Sequence, residues 1–563
     1  MQIFRLTKLC KMGTSSFRFF AKVQILILFL ALSISLKAQN DFEIAKNVDI
    51  FISVLKELNA KYADEITPGD LTKTAIDAML QKLDPYTVYY PESQIEDFKL
   101  LTTGQYGGIG ALIQQKNQEI VIAEPYEGWP AQIAGLRAGD VILKVNNQAT
   151  AGKTSGDVST ILKGEPGTPV TLEIKRPGTE KPMVVKVTRK EIKLPNLPYF
   201  GIIDQKIGYI KLDQFTENAG NEVKDAFLKM KEQGMQYLIL DLRNNGGGLL
   251  HEAVNIMNIF VDQNVTIVET KGKIKEQQNI HKTRFAPIDK QIPVVVLVNS
   301  MSASASEIVA GAFQDLDRGI IVGKKTFGKG LVQNIIPLSY NSSLKITVSK
   351  YYIPSGRCVQ NIDYFEKDST PIRHYIPDSL AIPYKTKNGR IVYDKGGVEP
   401  DIITPDSMAS NILMALILNN LIFDFANQYR ATHDSIVNPE IFKVDDNLYQ
   451  QFLEFLKNKE YSYTTETESI LNKLKEVAQE EKNFNAIKDL YEKMYAQLEA
   501  DKSNDLIRYK DEIAEYLGTE IVTRYYYQKG RIINSIQSDP DVVAAKNILL
   551  NTQKYNQILT GKK

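Results

Sequence analysis

The sequence predicts a multidomain α/β protein in which a strand-rich module is inserted into an α/β core, with a helical segment before it and a helical extension after it. Three observations lead to this prediction. The 563 residues are too many for one hydrophobic core. Continuous apolar runs at 237–242 and 293–298 are typical of strands buried on both faces, and helical segments lie between them. The character of the sequence also changes near residues 104, 199 and 405.

These changes divide the chain into five predicted parts. They are a signal peptide or anchor at 1–38, a helical region at 41–100, a strand-rich module at 104–190, an α/β core at 199–402 together with 41–100, and a helical extension at 405–563. In the helical region, Ile50, Val54 and Leu58 share one face at 3.6-residue spacing. We expect a helix to end at Asp84, because the proline that follows disfavours helical geometry in the residue before it.

Short apolar strands separated by glycine- and proline-rich turns make up the strand-rich module. The predicted strands are 120–123, 141–145, 170–174 and 184–187, and a glycine loop at 106–113 leads into the module. Strand–helix alternation in the core predicts mostly parallel pairing. The core elements expected besides the two apolar runs are helices at 253–260 and 307–313 and strands at 320–322 and 331–336.

The extension after residue 405 is charged and rich in tyrosine. An apolar stripe with helical spacing comprises Ile487, Leu490, Tyr491, Met494 and Leu498. We expect the helices of the extension to pack on each other or on the core. A surface that forms a homo-oligomer or binds a partner is the alternative.

Composition excludes several classes of function. The 68 basic and 67 acidic residues give a formal net charge of +1 without a basic stripe, so we expect no nucleic-acid partner. The two cysteines, Cys10 and Cys358, cannot form a disulfide framework. The four histidines are scattered and lack the paired spacing of zinc sites, so we predict neither a metal nor a cofactor.

Basic residues precede an apolar run at 23–36 near the amino terminus. The run is shorter than the ~20 residues that span a bilayer, and it fits the apolar region of a signal peptide with cleavage after Ala38. Leu36 suits that cleavage poorly, and an uncleaved anchor that holds the protein at a membrane is the alternative. With either segment we expect export to the periplasm or cell envelope.

Ser304 lies in a run of small residues between the strand 293–298 and a helix that begins by Glu307. A helix N-terminus offers unpaired N–H groups and the positive end of the macrodipole, which suit the oxyanion formed when a carbonyl is attacked. The small neighbours Ala303 and Ala305 permit close approach of a substrate backbone. Ser304 is therefore a candidate nucleophile, although helix capping by the serines also explains the segment.

A serine nucleophile needs a base, and no histidine lies between His281 and His374. The candidate base is Lys329, flanked by Gly328 and Gly330, which allow unusual dihedrals and close backbone approach. A lysine base must be neutral, so its pKa must fall from ~10.4 towards about 7–8 through burial in apolar surroundings. The neighbours that supply such surroundings are Phe327, Leu331 and Val332.

Residues 323–329 also match the start of a phosphate-binding loop, G-x-x-x-x-G-K. Such a loop continues with a Ser or Thr that binds magnesium and with a helix that holds phosphate. Here Gly330 takes the position of the Ser or Thr, and 331–336 has the pattern of a strand. The sequence therefore argues against nucleotide binding.

Together the serine and lysine segments resemble the C-terminal processing peptidases, also called tail-specific proteases. The two motifs are S-A-S-A-S-E at 302–307 and T-F-G-K-G-L-V-Q at 326–333. The spacing of 25 positions between Ser304 and Lys329 is also that of the family. The resemblance covers about residues 45–402 and leaves the helical extension outside it.

This resemblance implies roles for particular residues. It implies that Ser304 is the acylating nucleophile, that Lys329 is its base and that Gln333 orients the lysine. Glu307 and Asp315 match acidic residues that the family sometimes implicates, and a structural role explains either of them as well.

The resemblance also implies an oxyanion site in the turn N-N-G-G-G at 244–248, which follows a buried strand. Relatives often have proline at position 246, and proline has no N–H. The expected donors are therefore the N–H groups of Gly247 and Ala305. A plain loop crossing is the alternative for this turn.

Residues 104–190 resemble a PDZ domain. The resemblance implies that successive N–H groups of the glycine loop bind the carboxylate of a chain terminus, while the strand 111–113 pairs with the tail by β-augmentation. Ile109 and Leu112 then line an apolar pocket for the last side chain. The residues of this predicted peptide-binding site are Gly107, Gly108, Ile109, Gly110 and Leu112.

The resemblance as a whole implies a serine endopeptidase that recognises proteins by exposed, apolar C-terminal tails and cleaves them through an acyl-enzyme. A catalytically silent PDZ scaffold that presents envelope proteins to a partner is the alternative. The sequence does not favour the scaffold, since Ser304, Lys329 and Gln333 are all present.

Overall fold

The computed structural model describes residues 41–94, 103–204, 206–364, 374–375, 381–394, 396–405, 409–502 and 504–561. The chain divides into two compact units, Met1–Pro85 and Tyr86–Lys563. The predicted signal segment at 1–38 lies outside the described residues. The described part of the first unit contains two helices, α1 over 41–61 and α2 over Pro68–Gln81. Helix α2 ends shortly before Pro85, as the position of that proline predicts.

The chain after Pro85 departs from the predicted helical region. Val88–Tyr90 forms a strand, β1, that pairs antiparallel with residues 343–345. A β-branched residue followed by two aromatic residues suits a pleated, half-buried strand better than a helix. The prediction that 41–100 is helical is therefore wrong for this segment.

The strands of the strand-rich module are β2 Gln105–Gly108, β3 Ala111–Lys116, β4 Glu119–Pro125, β5 Val141–Val145, β6 Gln148–Ala149, β7 Pro169–Lys175, β8 Met183–Thr188 and β9 Lys190–Lys193. They form a sheet of order β3-β4-β5-β7-β8, in which β6 also pairs with β5, and a separate ribbon of β2 and β9. Its helices are α3 Pro130–Ile133 and α4 Ser155–Leu162. The four predicted strands are confirmed as β4, β5, β7 and β8, and β3 lies at the edge of the sheet.

The strands of the α/β core are β10 Tyr199–Asp204, β11 Ile207–Lys211, β12 Tyr237–Asp241, β15 Val294–Val298, β16 Ile320–Gly323 and β23 Ile402–Ile403. They form one sheet of order β10-β11-β12-β15-β16-β23. All neighbours from β11 to β23 are parallel, and β10 alone is antiparallel to its neighbour, so the predicted pairing is confirmed. Three helices belong to this core: α5 Ala219–Glu232, α6 Leu250–Met257 and α7 Ala305–Asp315.

Side chains of β15 alternate between two hydrophobic clusters. Val294, Val296 and Val298 pack with α5, α6 and α7 on one face of the sheet. Val295 and Leu297 pack on the other face with residues of the C-terminal extension. Burial of both faces explains why the strand is a continuous apolar run.

A second, antiparallel sheet of the same unit contains β1 and four further strands, β13 Thr266–Gly272, β14 Asn279–Lys282, β17 Leu331–Pro337 and β18 Ser343–Tyr352. Its order is β1-β18-β13-β14, and β17 also pairs with β18. Two ribbons complete the strands, one of β19 Ile362–Asp363 with β20 His374–Tyr375 and one of β21 Pro383–Lys385 with β22 Ile391–Tyr393. The segment 331–336 is thus a strand, as the sequence predicts.

The C-terminal extension is helical, as predicted. Its helices are α8 Asn411–Leu418, α9 Leu421–Thr432, α10 Asp446–Leu456, α11 Glu466–Glu480, α12 Phe484–Lys502, α13 Asp505–Arg508, α14 Lys510–Ser535, α15 Pro540–Leu550 and α16 Thr552–Thr560. Val542, Ala545 and Ile548 of α15 and Tyr555 of α16 pack on the core sheet. Within the described residues, no helix is both long enough and apolar enough to cross a membrane.

The apolar stripe of α12 is only partly buried. Tyr491 is 8% exposed, whereas Leu490 is 64% and Met494 is 52% exposed. Helix α12 contacts α11. The expectation that the stripe packs against other helices therefore holds for Tyr491 and is wrong for Leu490 and Met494.

Candidate active site

Ser304 lies in the turn between β15 and α7 and is the residue that precedes the helix. Its backbone has φ 57° and ψ −113°, a strained conformation for a residue other than glycine. Ser302 and Ser306 are buried, and their hydroxyls donate to the carbonyls of Leu242 and Asn245 at 2.8 and 2.9 Å. These two serines hold the turn in place, and Ser304 is the half-exposed serine between them.

Glu307 joins the serine and lysine segments through one buried carboxylate. One oxygen accepts the N–H groups of Ser304 and Lys329 at 2.9 and 2.8 Å. The other accepts the Gly328 N–H at 2.7 Å and the Thr326 hydroxyl at 2.6 Å. Burial raises the pKa of Glu307 to about 7, although the four donors favour the ionised form. The family resemblance gave Glu307 either an acidic site role or a structural role, and its carboxylate lies between the Ser304 and Lys329 backbones.

Tyr351, from β18, makes a second link between the same segments. Its hydroxyl donates to the Lys329 carbonyl at 2.7 Å and lies 3.1 Å from the Ser304 carbonyl oxygen. The side chain is 1% exposed, and burial raises the pKa of Tyr351 well above its ordinary value. The phenol therefore stays a neutral hydrogen-bond donor.

Lys329 is half-buried, and its Nζ lies 4.5 Å from the centre of the Tyr86 ring. The flanking glycines are required by the backbone. Gly328 has φ +87°, and a Cβ at Gly330 would lie 2.9 Å from the Cys358 sulfur. The expectation of unusual dihedrals and close approach beside Lys329 is therefore confirmed. The structure brings the Ser304 and Lys329 backbones together through the shared partners described above.

Gln333 lies on β17, and its amide donates to the hydroxyl of Thr347 on β18 at 3.3 Å. Its role in orienting Lys329 stays a prediction. Asp315 is at the opposite end of α7 from Ser304 and forms a buried ion pair of 2.9 Å with Arg357. This placement favours the structural explanation for Asp315.

The loop after β12 packs directly on Ser304. A Cβ at Gly247, where φ is +96°, would lie 2.8 Å from the Ser304 Cβ and 2.7 Å from the Ala303 carbonyl oxygen. The Gly247 N–H donates to the Asn245 side chain at 2.9 Å, so this predicted oxyanion donor is engaged within the loop. The Ala305 N–H has no acceptor among the described residues. Both oxyanion roles stay predictions.

An ion-pair network anchors the start of this loop. The Arg243 guanidinium lies 2.7 Å from Asp241 and 2.8 and 2.9 Å from Asp539 and Asp541, at the start of α15. Burial alone would raise the pKa of the Asp241 carboxyl, but Arg243 and Lys211 hold it well below its usual range. Sequence reasoning missed Asp539 and Asp541. The only local signal is an aspartate before Pro540 that marks a helix start without identifying its partner.

The glycine loop of the strand-rich module is equally constrained. A Cβ at Gly107 would lie 2.1 Å from the Gly164 carbonyl oxygen, and one at Gly110 would lie 2.5 Å from Trp129. The loop, β3 and α4 enclose a groove of about 180 Å³ that both Ile109 and Leu112 line. Ile109 is buried, whereas Leu112 is 52% exposed at the edge of the groove.

Groups of three His, Cys, Asp or Glu side chains that are placed to hold a metal ion are absent from the described part of the chain. The free Cys358 is half-buried, and Cys10 lies outside the described residues.

Three family models match the chain. Residues 206–369 match peptidase family S41, residues 121–176 match a PDZ domain, and residues 412–549 match the model described as "Probable PDZ-protease, C-terminal helical domain". The last match shows that the helical extension belongs to a known type of domain.

The chain is also similar to individual proteins. It is 34% identical over 348 residues to a carboxy-terminal-processing protease of Bartonella bacilliformis, covering 61% of this chain and 80% of the relative. It is 38% identical over 315 residues to a "Probable CtpA-like serine protease" of Staphylococcus aureus, covering 56% and 62%. A solved structure of a photosystem II D1 C-terminal processing protease aligns with 28% identity and a TM-score of 0.35, covering 63% and 92%. The chain therefore belongs to peptidase family S41, the carboxy-terminal-processing proteases, and is a serine-type endopeptidase with a PDZ domain.

Proposed function

We propose that this endopeptidase recognises proteins by their C-terminal tails and cleaves them through an acyl-enzyme, with Ser304 as nucleophile and Lys329 as general base. The observation that carries the proposal is the double link between the two residues. The Glu307 carboxylate accepts both of their N–H groups, and the Tyr351 hydroxyl lies beside both of their carbonyl groups. A serine on a strained turn before a helix, with its backbone linked in this way to that of the lysine, fits a preorganised dyad.

In the proposed reaction the neutral Lys329 amine takes the proton of the Ser304 hydroxyl as Oγ attacks the scissile carbonyl. The carbonyl oxygen gains negative charge, which the unpaired Ala305 N–H at the start of α7 stabilises. The C–N bond then breaks, and the leaving amine takes the proton from the Lys329 ammonium. Water, deprotonated by the same lysine, hydrolyses the resulting ester and restores the serine.

The PDZ domain supports the choice of C-terminal tails as the recognised feature. Its strand β3 lies at the edge of the sheet, so an extended tail can add to it as a further strand. The groove beside β3 is lined by Gly108 of the glycine loop and by apolar side chains, among them Ile109 and Leu162. An apolar last residue with a free carboxylate fits this groove.

The basic and apolar pattern of residues 1–38 supports export, so the proposed site of action is the periplasm or cell envelope. Fractionation of cells followed by N-terminal sequencing tests this part. The expected result is an envelope protein that begins after Ala38 or keeps the segment as an anchor. An intact chain found only in the cytoplasm would contradict it.

Two alanine variants test the dyad. Ser304→Ala and Lys329→Ala are expected to abolish cleavage of a protein with an apolar tail, measured by intact mass, while binding of the tail survives. A scaffold without activity would leave wild type and variants equally unable to cleave. Unchanged product from either variant would show that the proposed residue does not carry the reaction.

A further inference from the structure

We propose that the helical extension forms part of the tail-binding site and reads the penultimate residue of the substrate tail. This inference rests on the proposed recognition of C-terminal tails. It adds a second subsite, beyond the PDZ groove, whose wall includes residues of α14.

The subsite is a second cavity, adjacent to the PDZ groove. Its volume is about 360 Å³, and it shares Leu112, Tyr126 and Leu194 with the groove of about 180 Å³ beside β3. Its far wall is supplied by α14, with Tyr527 and Gln528 among the lining residues. A ligand in the groove therefore lies beside a cavity whose wall the extension helps to form.

The geometry of a strand decides which residue of the tail faces this second cavity. Ala111 and Ile113 of β3 pack against the PDZ core, whereas Leu112 between them faces outward. Side chains directly opposite on neighbouring strands lie on the same face, and successive side chains alternate. A tail that adds to β3 with its last side chain in the apolar groove places its penultimate side chain on the face of Leu112.

Half of the residues that line the cavity are apolar or aromatic and the other half are polar or charged, and the apolar part of the wall bears on the chemistry of the penultimate residue. The apolar lining beyond the shared residues is Trp129, Pro195, Pro198 and Tyr527. A large apolar or aromatic penultimate side chain fits these surroundings and gains binding free energy from burial.

Two ion pairs hold the extension against the PDZ domain at this position. Arg531 of α14 pairs with Glu124 of β4, and Asp424 of α9 pairs with Lys116 of β3. Further along the cavity, the Gln528 amide donates to Asp213 of the core at 3.1 Å. The wall that α14 contributes is thus fixed relative to the PDZ groove.

Tyr527 is the residue at which α14 departs from helical geometry. Its φ of 53° and ψ of −157° lie in a region that glycine occupies readily and other residues rarely. The kink occurs where the Tyr527 side chain lines the cavity. Strained residues cluster at ligand-binding sites, and this one supports a functional reason for the kink.

Binding of short peptides to the full-length Ser304→Ala variant tests the subsite. Fluorescence anisotropy would compare peptides that end in Phe-Val and Ala-Val, each with a free carboxylate and with a terminal amide. We expect the Phe-Val carboxylate to bind about tenfold tighter than the Ala-Val carboxylate. Adding Tyr527→Gly, which removes the ring but suits the local backbone, should reduce the ratio to less than about threefold.

Tyr526→Ala is the matched control, because Tyr526 is the neighbouring tyrosine and its hydroxyl bonds instead to the Ile436 carbonyl. This variant should keep the tenfold ratio. Equal affinity for the two carboxylate peptides, with weaker binding of the amides, would overturn the subsite and leave tail recognition standing. Equal affinity for carboxylates and amides would overturn both.

A crosslinking measurement provides an answer that does not depend on how the variants fold. A peptide with a benzophenone side chain at the penultimate position is irradiated with the Ser304→Ala protein and the adduct is mapped by mass spectrometry. Crosslinks to 527–531 are expected. Crosslinks confined to 105–193 would contradict the inference.

Discussion

Glu307 is the residue on which both segments of the proposed dyad depend, and its titration gives a test. The pKa moves from 4.5 for the free side chain to about 7 because the carboxyl is buried. Below about pH 4.5 the carboxyl is protonated in the native and the unfolded chain alike. Between pH 4.5 and about 7 only the native chain keeps the proton, so native stability falls as pH rises, and above about 7 the loss is complete.

The measurement is the free energy of unfolding of wild type minus that of Glu307→Gln, from urea titrations at several pH values. The variant has no titratable group at this position, so the difference in unfolding free energy reports the titration of the Glu307 carboxyl. We expect this difference to fall by about 3 kcal/mol as the pH rises from 4.5 to about 7. A difference that stays constant or rises would show that the native pKa is not raised.

Gly247 and its neighbour Gly246 form a matched pair for testing the contact with Ser304. A Cβ at Gly247 would meet the Ser304 Cβ at 2.8 Å in a backbone with φ +96°, whereas one at Gly246 has no atom within 4 Å. Gly247→Ala is expected to lower turnover on the order of 100-fold, because the loop must move away from the serine. Gly246→Ala should keep near-normal turnover. Equal effects of the two substitutions would contradict this account of the loop.

The role of a single residue can be predicted from the sequence only where the neighbouring residues in the chain indicate it. Ser304 and Lys329 stand in segments of small residues and glycines, and their motifs resemble those of a known family. Tyr351 has no comparable signal, because its role follows from where β18 places the hydroxyl. The engagement of the Gly247 N–H by Asn245 is also invisible in sequence, because it depends on one side-chain torsion.

Helix α15 is the element that links the extension to the loop beside Ser304. Asp539→Asn keeps the N-terminal cap, since asparagine caps helices as well as aspartate, but it removes the charge beside Arg243. We expect a loss of about 2 kcal/mol in the free energy of unfolding, with reduced turnover. Denaturant titration and a cleavage assay measure the two effects.

The control for this substitution is Asp501→Asn, which breaks an Asp–Arg pair of 2.7 Å with Arg508 on the exposed surface of the same extension. It should change stability much less than Asp539→Asn does and leave turnover unchanged, because an exposed ion pair contributes little. An Asp539→Asn protein as stable and active as the control would rule out support of the loop by α15.

At the element scale the sequence predicts strands with clear periodicity and buried apolar runs. The strands β4, β5, β12 and β15 are examples, and each lies within two residues of its predicted bounds. The strand β1 was missed because three residues carry no periodic pattern. Its pairing partner, 343–345, is distant in sequence and decides its structure.

The whole molecule has a C-terminal extension that completes the hydrophobic core of the peptidase. Val542, Ile548 and Tyr555 cover the sheet face formed by Ile239, Leu297 and their neighbours. Tyr555 also exchanges hydrogen bonds with the backbone of Val294 in the central strand β15. The sequence did not predict this contact. The family resemblance covered only about residues 45–402, and an apolar stripe on a helix does not reveal which surface the helix covers.

Two deletions of similar size separate this role from that of the rest of the extension. Removal of 536–561 should expose the sheet face and give an insoluble or dye-binding protein without activity. Replacement of 472–498, in the hairpin of α11 and α12, by a short Gly-Ser linker should leave a soluble, active enzyme, because the Tyr463–Asp505 bond holds the ends together. Solubility and activity after the first deletion would contradict the account.

The proposed dyad is tested most directly by the rate at which a fluorophosphonate labels the protein, measured against pH in wild type and Lys329→Ala, with the adduct located by peptide mapping. The account predicts an adduct on Ser304 and a rate that rises with an apparent pKa well below the ~10.4 of free lysine. It also predicts labelling of the Lys329→Ala protein at least about 100-fold slower. An adduct on another residue, or the same rate and pH dependence without Lys329, would contradict it.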